Sequence, residues 1–167
     1  AEVFGEATYS LRTTQGGLVL PLLAANVNNI DAGREVGASP DGRLAKTPVS
    51  DAASPHFGRD KNGPAGVIDS LSQVDYINSL GGNVVNMKLT LSKDTLEKDK
   101  AAFVALITTY FRRGGLQMQF NTTDRETLLA AQKDPESYST LVVRVSGFSA
   151  YFTQLAVEVQ NDILART

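Results

Sequence analysis

Apolar residues run almost without interruption from Leu18 to Val27, with Pro21 inside the run. A continuous run of this kind predicts a buried strand or strand pair, because a half-exposed strand would alternate. From Asn28 to Gly63 the pattern dissolves into a stretch rich in Pro, Gly, Asp, Asn and Ser. A segment of that length without periodicity is unusual in a compact domain. It reads as a functional surface, or as a segment that packs on something outside this chain.

Periodicity returns at Asn62-Gly63-Pro64, where proline suits the first turn of a helix. Val67, Leu71, Val74 and Ile77 keep helical spacing, and Gly81-Gly82 stops it. Asn83 to Thr90 predicts a strand. A second helix is expected to start between Ser92 and Thr95, with Phe103, Leu106, Ile107 and Tyr110 on one face. Arg112-Arg113 fall in its last turn, where cations suit the helix dipole, and Gly114-Gly115 end it. Leu116 to Phe120 alternates as a strand. Asp124 is placed to cap a short helix through Lys133, which Pro135 breaks. Leu141 to Val145 predicts a strand, and Leu155, Val159 and Ile163 mark a final helix. Strands alternating with helices predict an α/β architecture.

Composition narrows the chemistry. The 167 residues are 42% hydrophobic and 20% charged, enough for a core of its own, and a net charge of −2 leaves no footprint for nucleic acid. No apolar run approaches the roughly 18 residues of a membrane span. The first residues lack an export signal, so a cytoplasmic location is expected, with neither membrane nor nucleic acid as partner. Cysteine is absent and His56 is the single histidine. That excludes disulfides, thiolate metal sites and a cysteine nucleophile within this chain, and it leaves a multi-histidine metal site or a Ser-His-Asp triad poorly supplied. His56 itself, after Ser54-Pro55, reads as a surface or loop-packing side chain. No bound cofactor or metal is expected.

The strand ending at Val145 continues as Ser146-Gly147-Phe148-Ser149, a glycine between a hydroxyl and an aromatic. Structurally, such a glycine marks a bulge or tight turn. Chemically, glycine is the one residue whose α-carbon can hold an unpaired electron with no side chain to obstruct planarity. Arg144-Val145-Ser146-Gly147-Phe148 resembles the Arg-Val-(Ala/Ser)-Gly-(Tyr/Phe) signature of glycyl radical enzymes. Further stretches look like the dehydratase and lyase branch of that family. They are Gly37-Ala38-Ser39-Pro40-Asp41-Gly42-Arg43, Thr47-Pro48-Val49-Ser50-Asp51 with Ser54-Pro55, Asp60-Lys61-Asn62-Gly63-Pro64, Gln119-Phe120-Asn121 and Ala165-Arg166-Thr167. Ala52 and Ala65-Gly66 depart from the usual residues of that branch.

The resemblance implies the C-terminal part of a ten-stranded α/β barrel, with residues 1–34 as a late barrel strand segment and 35–167 as a glycyl radical domain. Gly147 would store the radical, installed by a radical-SAM activating enzyme, and Arg144, Ser146 and Phe148 would support the radical loop. In the family a cysteine on a second loop passes the radical to a small-molecule substrate. This chain has no such cysteine, so a larger cysteine-bearing barrel subunit or N-terminal portion is the expected partner, in an oligomer. The implied activity is that of an anaerobic, oxygen-sensitive carbon–heteroatom lyase or dehydratase. Glycerol and propanediol dehydratases, choline trimethylamine-lyase, hydroxyproline dehydratase and isethionate lyase form the candidate subgroup. A split-enzyme subunit, a fragment, and a spare part that restores an oxygen-cleaved enzyme all remain open, as do arylacetate decarboxylases and alkyl- or arylsuccinate synthases.

Overall fold

The computed structural model describes residues 2–77, 79, 81–89 and 96–166. Helix α1 (Glu2–Tyr9) is followed by strand β1 (Leu22–Leu23) and helices α2 (Asn28–Glu35) and α3 (Gly63–Leu71). Strands β2 (Gly82–Asn83) and β3 (Asn86–Lys88) lead into the long helix α4 (Leu96–Arg112) and strand β4 (Gln119–Asn121). Helix α5 (Arg125–Lys133), strands β5 (Val142–Arg144) and β6 (Ser149–Tyr151), a 3₁₀ turn (Phe152–Gln154) and helix α6 (Val157–Ala165) complete the order.

Two strand pairs are parallel. β1 sets Leu22 opposite Gly82 of β2, and β3 sets Asn86 opposite Gln119 of β4. Between β3 and β4 the chain crosses through α4, the connection a parallel pair requires. β5 and β6 form an antiparallel hairpin with Arg144 opposite Ser149. Mixed short strands and helices thus agree with the α/β expectation.

Two apolar clusters carry the packing. Val67, Ile68, Leu71, Val85, Met87 and Tyr110 join α3, β3 and α4. The second cluster lies beneath the β5–β6 hairpin, where Leu128, Val143, Val145, Phe152 and Ile163 join α5, β5, the 3₁₀ turn and α6. Val145 and Phe152 are wholly buried, so the hairpin stands on a closed floor. Asp124 caps α5 as expected, its carboxylate accepting from the Thr127 amide at 2.7 Å.

Several sequence expectations are corrected. The run from Leu18 to Val27 yields only the two-residue strand β1, and Leu18, Leu20 and Leu22 stand 46%, 44% and 55% exposed. β1 pairs with β2 alone, and no further layer of the described chain covers those leucines. The stretch from Asn28 to Gly63 contains α2, whose buried positions are Asn29, Ile30 and Gly33. Polar and glycine residues on the buried face leave no apolar repeat to read. Gly33 is required there: a β-carbon would sit 2.3 Å from the Thr47 carbonyl oxygen, so only glycine lets α2 lie against the 47–48 backbone.

Helix α3 ends at Leu71 rather than continuing to Ile77. The Ser72 hydroxyl joins its own amide on the Ile68 carbonyl at 2.6 Å. The next two amides fall back to carbonyls three residues behind, Gln73 to Ser70 and Val74 to Leu71, both at 3.2 Å, which ends the α-helical ladder. Tyr76 is then buried in place of Ile77, which is 68% exposed. The strand expected over residues 83–90 divides into β2 and β3, and Thr90 lies outside the described residues, as does the expected start of α4 at Ser92 to Thr95. The strand expected at Leu116 to Phe120 is shorter, β4 covering Gln119–Asn121. The last helix begins at Val157, with Leu155 closing the 3₁₀ turn before it.

Candidate functional site

A two-residue turn, Ser146-Gly147, joins β5 to β6. The Val145 amide donates to the Phe148 carbonyl at 2.9 Å across its base. Gly147 has φ +84, the left-handed conformation an L side chain resists. Its α-carbon is open. A β-carbon built there would meet only the Asn26 Oδ1 within 4 Å, at 3.9 Å.

Both backbone polar groups of Gly147 are engaged. Its N–H donates to Gln119 Oε1 at 3.1 Å, and its carbonyl accepts from Arg144 Nη2 at 3.1 Å. Arg144 reaches that position because it is held at three further points. Its Nε donates to the same Gln119 oxygen at 2.7 Å, and its Nη1 to Ser149 Oγ at 3.2 Å. Its backbone is clamped by the Asn121 side chain, which accepts from the Arg144 amide at 2.8 Å and donates to its carbonyl at 2.7 Å. Gln119 and Asn121 are two positions apart on β4 and so project from the same face, toward β5.

Beneath the turn lies a charged network. Ser146 Oγ donates to Asp51 Oδ1 at 2.9 Å, and Asn86 Nδ2 and Arg166 Nη1 both donate to Asp51 Oδ2. Arg166 Nη1 also donates to the Val145 carbonyl at 3.0 Å. Its other terminal nitrogen lies 3.1 Å from Asp162 Oδ2 as an ion pair, without the alignment of a hydrogen bond. Asp162 in turn accepts from Asn29 of α2 at 3.1 Å. Ser146, Asp51 and Asp162 are all buried. Two carboxylates share one guanidinium here. Burial pushes the Asp162 carboxyl above its ordinary range, Arg166 opposes that, and the charge of Asp51 adds to it.

The approach to Gly147 from α2 is strained. Asn26 and Val27 both have positive φ, at 45 and 65, and a β-branched residue there is an outlier costing about 1–3 kcal/mol. Val27 packs on the cluster below the hairpin, and this bend aims the Asn26 amide at Gly147.

The sequence-derived candidates are therefore gathered in one place, with different parts to play. Arg144 touches Gly147 directly, and Ser146 ties the turn to the buried network. Phe148 contributes its carbonyl, while its ring stands 42% exposed. The sequence alone does not mark Gln119, Asn86, Asn26 and Arg166 as site residues. The spacing of Gln119 and Asn121 around Phe120 was the available signal, since two amide side chains on one strand face need partners. His56 stacks on Phe57 with centroids 5.2 Å apart and lines a cavity together with Asn86 and Arg166. Among the described residues no group of three or more His, Cys, Asp or Glu side chains is placed to hold a metal ion. No helix among them is long and apolar enough to cross a membrane.

Comparison with known proteins supplies the family. A family model described as "Glycine radical" matches residues 49–153, which include the whole turn, Asp51, Asn86 and Gln119. The probable dehydratase YbiW of Escherichia coli (strain K12) is 44% identical over 140 residues, 83% of this chain and 17% of that protein. The trans-4-hydroxy-L-proline dehydratase of Clostridioides difficile is 42% identical over 135 residues, 81% of this chain and 17% of that protein. Among solved structures, the glycerol-bound B12-independent glycerol dehydratase from Clostridium butyricum superposes with a TM-score of 0.91 at 38% identity, covering 99% of this chain and 21% of that one. The chain thus spans about a fifth of the length of these relatives, and its folded elements are those of the C-terminal part of the glycyl radical enzyme α/β barrel. The chain belongs to the glycine radical family, among the glycyl radical dehydratases and lyases.

Proposed function

We propose that Gly147 is the radical-storing residue of an anaerobic carbon–heteroatom lyase or dehydratase. The observation that carries this reading is a single one. The family-matched segment carries Gly147 with an open α-carbon and with its amide and carbonyl both held by side chains, those of Gln119 and Arg144. An activating enzyme of the radical-SAM class would remove one hydrogen atom from the α-carbon. The C–H bond breaks homolytically, and the electron left behind is shared with the amide nitrogen and carbonyl. The left-handed turn sets that carbon at the tip of the hairpin, where a donor or acceptor of hydrogen can approach.

The partner in turnover is a cysteine thiol on a portion of the protein outside this chain, since these 167 residues hold no cysteine. Gly147 takes the thiol hydrogen and leaves a sulfur radical. That radical takes a hydrogen from a substrate carbon, the neighbouring leaving group departs, and the hydrogen returns. Radical transfer of this kind needs a site closed to water and stray hydrogen donors. The exposed leucines of the 18–22 segment, close in sequence to Asn26, fit a face covered by that further portion. Oligomeric assembly and a cytoplasmic, oxygen-poor setting belong to the same reading.

Freeze-trapped electron spin resonance of the anaerobically activated protein tests it. A doublet is expected from the one α-hydrogen that remains on Gly147, collapsing to a singlet when glycine is α-deuterated. A competent activating enzyme that produces no doublet overturns the proposal.

A further inference from the structure

Gly147 is the end point of a hydrogen-bonded relay that starts at a buried carboxylate. Asp51 accepts from Asn86 Nδ2, Asn86 Oδ1 accepts from Gln119 Nε2, and Gln119 Oε1 accepts from the Gly147 N–H. The direction of every link is fixed by chemistry. Gly147 N–H and Arg144 Nε–H can only donate, so the Gln119 atom facing them is its oxygen. The Gln119 amide nitrogen must then face the Asn86 oxygen. That leaves the Asn86 nitrogen for Asp51, whose carboxylate can only accept.

Such a chain polarises in one sense. Donation to a carboxylate raises electron density on the Asn86 oxygen, which strengthens the Gln119 bond and enriches the Gln119 oxygen in turn. In a low-dielectric setting each link strengthens the next, and Asp51 is 1% exposed. Electron density is thereby pushed toward the Gly147 nitrogen, against the draw of the Arg144 Nε–H on the same oxygen. At the other end of the same residue, the Arg144 cation donates to the Gly147 carbonyl and draws density out of it.

We infer that Gln119 and Arg144 form a push–pull pair that draws spin off the Gly147 α-carbon, with Asn86 and Asp51 relaying charge to Gln119. This inference rests on the assignment of the radical to Gly147. A carbon-centred electron between an amide nitrogen and a carbonyl is stabilised when the nitrogen becomes a better donor and the carbonyl a better acceptor. Both hydrogen bonds act in that direction. Gln119 and Arg144 are positioning residues here: no atom or electron is transferred to either.

The test is the size of the α-hydrogen splitting in the activated protein, which reads spin density on the α-carbon. Arg144→Met and Gln119→Met are expected to widen the doublet relative to the unsubstituted protein, and Arg144→Lys to restore most of the narrowing. Gln119→Glu keeps an acceptor for both donors and replaces the relay through Asn86, whose oxygen loses its donor, by a full charge at that position, so it is expected to narrow the doublet further. It also carries the test should Gln119→Met fail to accumulate as folded protein. A merely structural role would lower radical yield without ordering the splittings by charge. Identical splittings in all four variants overturn the push–pull assignment while leaving the radical at Gly147 intact. Absence of any doublet in the unsubstituted protein overturns both.

Discussion

Ser146 Oγ donates to Asp51 Oδ1 across 2.9 Å, joining two buried side chains 95 positions apart in sequence. That bond fastens the glycine turn to the loop between α2 and α3. Arg166, from the end of α6, adds a third strand to the knot through Asp51 and the Val145 carbonyl. The turn is therefore held from beneath by charge, and from the side by the amides of β4.

Removing the centre of that knot is expected to be costly. Asp51→Ala leaves the Arg166 guanidinium buried with too little negative charge and orphans Ser146 and Asn86. Breaking a buried pair in this way costs about 3–5 kcal/mol. Urea unfolding measures it as a lower midpoint, with Asp51→Asn losing less because it keeps an acceptor.

The raised carboxyl of Asp162 predicts a pH dependence of definite sign. The folded chain holds this proton more tightly than the unfolded chain, where carboxyls titrate near about 3.9. More protons are then bound in the folded state, so stability falls as pH climbs from about 4 through the raised folded value and then levels off. The favourable contribution is complete only below that window. Asp162→Asn is expected to flatten this part of the profile, measured as urea midpoints at stepped pH.

Gly147→Ala separates chemistry from folding. Space for the methyl exists, with Asn26 Oδ1 3.9 Å away, but φ +84 strains an L residue by about 1–2 kcal/mol. A modest drop in thermal midpoint together with complete loss of the doublet is expected. A doublet that survives in this variant places the radical elsewhere.

Asn121 clamps both backbone groups of Arg144. Asn121→Leu leaves that amide and carbonyl unpaired at a partly buried position, a loss of about 1–3 kcal/mol. Amide hydrogen exchange at Arg144 is the direct readout, and it is expected to accelerate more than exchange in α5, whose cap at Asp124 is untouched.

Much of this architecture was legible because local chemistry decided it. Asp124 before an apolar repeat gave the α5 cap, and Gly147 after a β-branched run gave the turn. Helix α2 was invisible because its buried face consists of Asn29, Ile30 and Gly33, chosen for a hydrogen bond and for closeness to the 47–48 backbone. The spacing of Val74 and Ile77 suggests a longer α3, but the amides of Gln73 and Val74 bond three residues back instead of four, a change no apolar pattern records. At the site, Arg144, Ser146 and Gly147 lie together in sequence and were read together. Their supports come from residues 51, 86, 119 and 166, and no local pattern announces that a carboxylate, two amides and a guanidinium will converge.

The most direct test of radical storage at Gly147 is to admit air to the activated protein and weigh the polypeptide that remains. Reaction of oxygen with an electron on that α-carbon is expected to sever the backbone there, giving a C-terminal piece that begins at position 147 or 148, in proportion to the doublet lost. An intact polypeptide after the doublet has vanished in air contradicts the account.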